Sequence, residues 1–255
     1  MRILTSLIVI FLIFFMSDEH KAHIKPDVVP VNLTDILQKE NWSTDDYNLL
    51  SSQTGLTSIS LDILKEDNIN KILSVQKAYL SPVSIVCKPH MLLSRTERLT
   101  DTLSPITALE NGDILITSSS HVLGFRNGHC ALVIDAEKEI ILEAAFIGRD
   151  SEFSTVDRFR KYSSVAVFRL KNTDSEFRSQ IAEYAEKNLV NKPYSLFAGI
   201  FDDNSTHCSH LIWSAFNAFG YDLNSNGGKI VTPSDIAKSP LLELKQVYGL
   251  PLTFE

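Results

Sequence analysis

The chain is predicted to be an α+β protein: a small antiparallel sheet packed against helices, with a helical lead-in before it. Three observations carry that expectation. Between Gly112 and Leu170, apolar runs of strand length alternate with short polar turns. After Ser175 and again after Cys208, apolar residues recur at helical spacing. The composition is that of a globular chain able to bury a core, with 44% hydrophobic and 22% charged residues over 255 positions.

Residues 1–22 stand apart. Arg2 gives a positive start, and Ile3 to Met16 is apolar except for Thr5 and Ser6. Such a run is long for a core strand and short for a membrane span, so it reads as a secretory signal or an uncleaved N-terminal anchor. Ala22 is the best small residue for cleavage. Residues 23–31 are polar and proline-bearing, as in a linker. Residues 32–100 form the lead-in. There Ser43-Thr-Asp-Asp46 has the capping-box pattern ahead of Tyr47, Leu49 and Leu50, and Gly55 is placed to stop that helix. Leu61–Leu64 and Ile69–Leu80 give two more helical patterns, with Asn68 as a cap for the second. Val83–Cys87 reads as a strand.

Residues 101–255 carry the main domain. Strands are expected at Gly112–Thr117, Gly128–Asp135, Glu139–Ala145 and Val165–Leu170. The polar turn Asp135–Lys138 makes the middle two a hairpin. Ser175 is placed to cap a helix that turns Phe177, Ile181, Tyr184, Ala185 and Leu189 inward. Next comes a helix from Cys208, for which Thr206 or Ser205 offers a capping oxygen. Gly220 is suited to end it in a left-handed conformation. Thr232-Pro-Ser-Asp235 begins a short helix with Pro at its first position. Leu244–Tyr248 reads as the last strand.

The net charge of −7 and the lack of a basic run argue against a nucleic-acid partner. Three cysteines, Cys87, Cys130 and Cys208, are an odd number for an exported chain. A Cys87–Cys130 disulfide would leave Cys208 free. No Cys/His cluster has zinc-site spacing, and nothing indicates a nucleotide or metal cofactor.

Cys208 is the candidate nucleophile. It lies in the first turn of a helix, on the face of Leu211 and Ile212, where free N–H groups and the helix dipole stabilise an anion. A thiol so placed can ionise near neutral pH. It needs a base, and the base an orienting group. His129, at the start of a strand beside Gly128, is the candidate base. If the hairpin turn centres on Ala136, His129 lies opposite Glu143, which could accept the imidazole N–H. His121, His207 and His210 compete as bases; His121 lies in a Ser-rich loop, and His207 and His210 adjoin the nucleophile.

These residues resemble a known family. Pro193-Tyr194, Gly199 and Cys208-Ser209-x-Leu211 are similar to the nucleophile region of NlpC-type cysteine peptidases. Those enzymes usually place the histidine after the cysteine, whereas here it comes first. That order resembles the circularly permuted branch of the papain-like superfamily, the YiiX-like and YycO-like hydrolases. Gly112-Asp113-Ile-Leu, Gly128-His129, Leu142-Glu143-Ala144 and His207-Cys208-Ser209-His210 match its pattern in order. The lead-in around Gln53-Thr-Gly-Leu56 is also similar to YycO-like proteins.

The resemblance implies a permuted papain-like fold over residues 101–255, with Cys208 as nucleophile, His129 as base and Glu143 orienting it. It implies the Ser209 backbone N–H as an oxyanion donor and Tyr194 as cleft-lining; His121, from its Ser-rich loop, and His210 are also expected to line the cleft. His210 stands where the family commonly has glycine, which is expected to narrow the cleft. The implied protein is an exported bacterial cysteine hydrolase, secreted or anchored at the outer face of the membrane, cutting an amide in cell-wall (peptidoglycan) peptides. Two rivals remain open. One is a lipid acyl ester hydrolase or acyltransferase of the permuted lecithin–retinol type; the other is a non-catalytic binding module.

Overall fold

The computed structural model describes residues 20–89, 94–122, 124–200, 204–249 and 252–253. Most of the expected signal or anchor lies outside the described residues. Among the described residues no helix is long and apolar enough to cross a membrane.

The chain builds two antiparallel sheets rather than one. The larger has the order β10-β9-β4-β6-β7-β8, from β4 (Ile114–Thr117), β6 (His129–Asp135), β7 (Ile140–Glu143), β8 (Glu152–Thr155), β9 (Ser164–Leu170) and β10 (Leu242–Gly249). The smaller has the order β1-β2-β3-β5, from β1 (His20–Ile24), β2 (Val83–Pro89), β3 (Ser94–Leu99) and β5 (Ser120–Val122). Only part of β2 is legible as a strand, because the others are short and polar. Residues 23–31 are not a free linker. His23 and Ile24 belong to β1, which pairs with β2, and the Gln53 side chain bonds Val29 and Val31. The lead-in is thus helical only as far as Tyr79.

The large sheet is buried on both faces, which is why its strands read as continuous apolar runs. Ile114, Ile116, Cys130, Leu132, Leu142, Ala166 and Phe168 point to one side. There they meet α6 (Ser175–Asn188) and α7 (Cys208–Asn217), with α8 (Pro233–Ala237) beside them. The alternate residues Leu115, Ala131, Val133, Ile141, Val165 and Val167 pack on Phe159 and Tyr162. Phe159 belongs to the one-turn helix α5 (Asp157–Arg160).

The lead-in helices are α1 (Thr34–Leu37), α2 (Thr44–Thr54), α3 (Ser58–Asp67) and α4 (Asn70–Tyr79). They close their own core around Leu33, Leu50, Leu61 and Ile72. The Ser43/Asp46 capping box forms as predicted, and Gly55 ends α2 at φ 70°. Gly55 also carries the docking: its carbonyl accepts from Val247 N–H at 2.8 Å. A Cβ there would lie 2.1 Å from the Val247 carbonyl oxygen. Asn68 does not cap α4; Ile69 precedes its first residue without a side-chain cap.

A buried charge cluster ties the same seam together. Asp113 grips the Arg169 guanidinium at 2.7 and 2.9 Å and Lys245 Nζ at 3.2 Å. Glu110 bonds Arg169 and Arg178. Burial lowers Lys245 to about 8, and the Asp113 charge works against that fall. Asp113 is therefore a structural anchor at the start of β4.

Two helix starts differ from expectation. Asp174, not Ser175, caps α6 by accepting from Phe177 N–H. His207, not Thr206 or Ser205, is the N-cap of α7, its Nδ1 accepting from His210 N–H at 3.3 Å. α8 starts at Thr232-Pro233 as predicted, and Thr232 and Asp235 also form a capping box there.

Candidate active site

The β6–β7 ladder pairs Leu132 with Leu142 and Val133 with Ile141, then shifts register before Asp135 and Ile140. The turn lies further along the chain than expected, the bulge recovers one residue of that offset, and the pairing beyond it ends two residues from the one expected. Glu143 falls level with Ala131, and not opposite His129. A two-residue displacement keeps a side chain on its face, so the two still meet on the diagonal. His129 Nε2 lies 2.6 Å from Glu143 Oε2. Glu143 is fully buried and His129 6% exposed. The other carboxylate oxygen lies 2.9 Å from Arg158 Nη1, at an angle outside hydrogen-bonding geometry. Phe159, one residue on, stacks on the imidazole with ring centroids 5.6 Å apart. The ring is thus held at one edge by a carboxylate and on one face by an aromatic plane, leaving Nδ1 for another partner.

That partner is Cys208. Its thiol is partly exposed and unoxidised, and the side chains of Cys130, His129 and His207 act on it electrostatically. Cys130 and His129 are neighbours on β6 that point to opposite faces. The start of α7 reaches both because it lies at the beginning of that strand.

The electrostatics follow from the contacts. The Cys130 hydrogen bond holds the Cys208 thiol well below its usual range, with help from His129 and His207 and against the burial that would raise it. Burial by itself would lower His129, but hydrogen bonds to Cys208 and Glu143 outweigh it and lift the imidazole to about 10. Glu143 is held below the ordinary carboxylate range: burial opposes this, and the His129 bond and Arg158 charge overcome it. Burial drives Cys130 well above the usual thiol range, so it stays a donor. Both shifts favour a thiolate beside an imidazolium. Since His207 Nδ1 accepts at the helix cap, the hydrogen bonding assigns a ring proton to Nε2.

The Cys208 and Ser209 backbone N–H groups have no acceptor among the described residues. Both residues line the cleft. The Ser209 hydroxyl is tied to Val231 O at 2.8 Å, which fixes the first turn.

The cleft has a volume of about 560 Å³. Tyr194 and His121 stand in its wall. His121 Nε2 is engaged by Glu97 at 3.0 Å, away from the sulfur. His210 does not line the cleft, contrary to expectation. Two residues beyond Cys208 the helix has turned by more than half a revolution, so the ring packs on Trp213 and against Gly199. It does not narrow the cleft. A Cys87–Cys130 disulfide is also absent: both are free thiols, one on the small sheet and one in the core of the large sheet.

A model of the permuted papain-like amidase enzymes, YaeF/YiiX, C92 family, matches residues 99–247. The chain belongs to this family. It is therefore a cysteine hydrolase with a permuted papain-like fold, which explains why the histidine strand precedes the cysteine helix. Among solved structures it is similar to one titled metalloprotein yiiX from Escherichia coli O157:H7, at 16% identity and a TM-score of 0.44, covering 57% of this chain and 98% of that one. No curated protein matches the chain. Among the described residues no three His, Cys, Asp or Glu side chains gather as a metal-ligand set.

Several residues of this amidase site had no signal in the sequence. Arg158 and Phe159 sit on a helix of one turn, too short to show periodicity. Cys130 reads as a core residue, which it also is. His207 is excluded by the rule that adjacent helix positions do not face each other, but it is the cap and lies outside the helix proper.

Proposed function

We propose that this cysteine hydrolase works as a thiol amidase through Cys208, His129 and Glu143. The Cys208 thiolate attacks the amide carbonyl carbon. The N–H groups of Cys208 and Ser209 receive the developing oxyanion. The His129 imidazolium gives its Nδ1 proton to the leaving amine, and a thioester remains. Neutral His129 then takes a proton from water, whose oxygen attacks the thioester and restores the thiol pair. Glu143 keeps the ring oriented and charged. The observation that carries this reading is the 2.6 Å contact between His129 and buried Glu143, with the free ring edge turned to Cys208.

For the substrate we favour a peptide amide of the bacterial cell wall, in keeping with the export expected from residues 1–16. Cys208→Ala is expected to abolish turnover of peptidoglycan fragments; an active variant would overturn the assignment. A second reading, transfer or hydrolysis of an acyl group, is favoured by Phe146, Leu196 and Ile230. These line the cleft and are 40%, 52% and 44% exposed. Parallel incubation with peptide-amide and acyl-ester probes separates the two.

A further inference from the structure

We propose that the substrate of this site carries an anionic group, a carboxylate by preference, and that Arg98 receives it. The inference rests on the thiol amidase reading and adds the charge of what that site takes.

The protein as a whole is acidic, with a net charge of −7, yet its cleft is not. Among the described residues that line it are four arginines, Arg95, Arg98, Arg126 and Arg158, and no aspartate or glutamate. Two of the four have carboxylate partners behind the wall. Arg126 bonds Glu97 at 2.5 Å, and Arg158 meets Glu143 at 2.9 Å. Arg98 differs. Its guanidinium lies over the Tyr162 ring at 5.3 Å from the centroid, and no described carboxylate pairs with it. A guanidinium seated on an aromatic face keeps its in-plane N–H fork free, and that fork fits a carboxylate bidentately.

The placement connects to the reacting atoms. Tyr162 meets Phe159 edge-on at 5.2 Å, and Phe159 stacks on His129. Arg98 thus stands on the same aromatic shelf that carries the imidazole, on the wall contributed by β3. A concave wall of one charge sign over low-dielectric rings focuses the field and favours an oppositely charged ligand. The lining residues Leu196, Ile230 and Val231, from chain segments near the nucleophile, carry no charge. The site therefore distinguishes the two ends of its substrate, with the anionic part on the β3 side.

The test uses thiol alkylation, which needs Cys208 but no knowledge of the substrate. The probes are iodoacetyl ω-amino acids of increasing chain length, each paired with its neutral carboxamide. Rates at Cys208 are read by intact mass at pH 7 and normalised to the same pair reacting with glutathione. At one chain length the acid is expected to react about tenfold faster than its amide, an excess that falls with added salt. Arg98→Gln should remove most of that excess, read as the acid-to-amide ratio within the variant. Arg98→Lys should restore part of it, which excludes a loss of fold as the cause. An acid advantage absent at every chain length, or one that survives Arg98→Gln, overturns the inference and leaves the amidase reading intact. If acids and amides alike fail to modify Cys208, the nucleophile assignment falls and this inference falls with it.

Discussion

Glu143→Gln tests the catalytic arrangement most sharply. The carboxylate is fully buried and faces two cations, His129 Nε2 at 2.6 Å and Arg158 Nη1 at 2.9 Å. The amide keeps the size but loses the charge, and only one of its two terminal atoms can accept. One cation therefore faces an N–H₂ group. Loss of a charge-assisted hydrogen bond costs about 1.5–3 kcal/mol, which corresponds to about 10- to 150-fold in kcat/KM if it falls on the transition state. The sign of the pH effect follows from His129, whose imidazole is raised to about 10. With less anionic support the imidazolium releases its proton at lower pH, so the alkaline limit of turnover moves down. The thiolate loses part of its counter-charge, so the acid limit moves up. The assay is a pH–rate profile of turnover together with iodoacetamide alkylation of Cys208. Glu143→Asp, which keeps the charge on a shorter stem, should fall between the two and controls for a folding defect. Wild-type rates with unchanged pH limits in Glu143→Gln would refute the orienting role.

Other outcomes follow from the same contacts. Arg158→Met should lower turnover about tenfold and move its acid limit up, because Glu143 loses a charge that helps keep it ionised, while the alkaline limit does not fall; Arg158→Lys should partly rescue both, and a pure stability loss without a pH change would contradict this. Asp113→Asn should cost about 3–5 kcal/mol in denaturant titration at pH 7, because it strips buried Lys245 and Arg169 of their anion. Lys245 has a folded value of about 8 against 10.5 for the free side chain. The unfolded chain binds the extra proton between those values, so stability in this window rises with pH, and the defect should shrink at pH 9. Gly55→Ala must place a Cβ 2.1 Å from the Val247 carbonyl oxygen at a φ of +70°; a loss of about 3 kcal/mol or more is expected in thermal melts. A melting temperature unchanged by that substitution would show that the lead-in is not docked on β10 through this turn.

Much of the main domain was legible because its signals are local. The β6–β7 hairpin, the helix after Cys208 and the helix start at Thr232-Pro233 rest on residues a few positions apart. The small sheet was not legible. Its strands are short, β3 and β5 are largely polar, and pairing with distant partners is what makes them strands. Within the site, the residue types and the faces of β6 and β7 predicted which side chains could meet, and an even register displacement preserved the meeting. The exact pairing was lost because the turn lies further along the chain than its polar residues suggest, and a bulge between Val133 and Asp135 recovers only one residue of that offset. The side-chain caps show the same limit: His207 displaced Thr206 and Ser205 because the fit of its ring to the helix start depends on what packs around it.

Sequence alone determined the chemistry available, namely a thiol at a helix start, an imidazole at a strand start and a carboxylate on the neighbouring strand. Those properties follow from residue type and local backbone. Tertiary structure decided what surrounds them: Cys130 and His207 against the sulfur, Arg158 and Phe159 around the histidine–glutamate pair, and an arginine wall in an acidic protein. These neighbours come from separate stretches of chain, and only packing brings their charges close enough to set which protons are held.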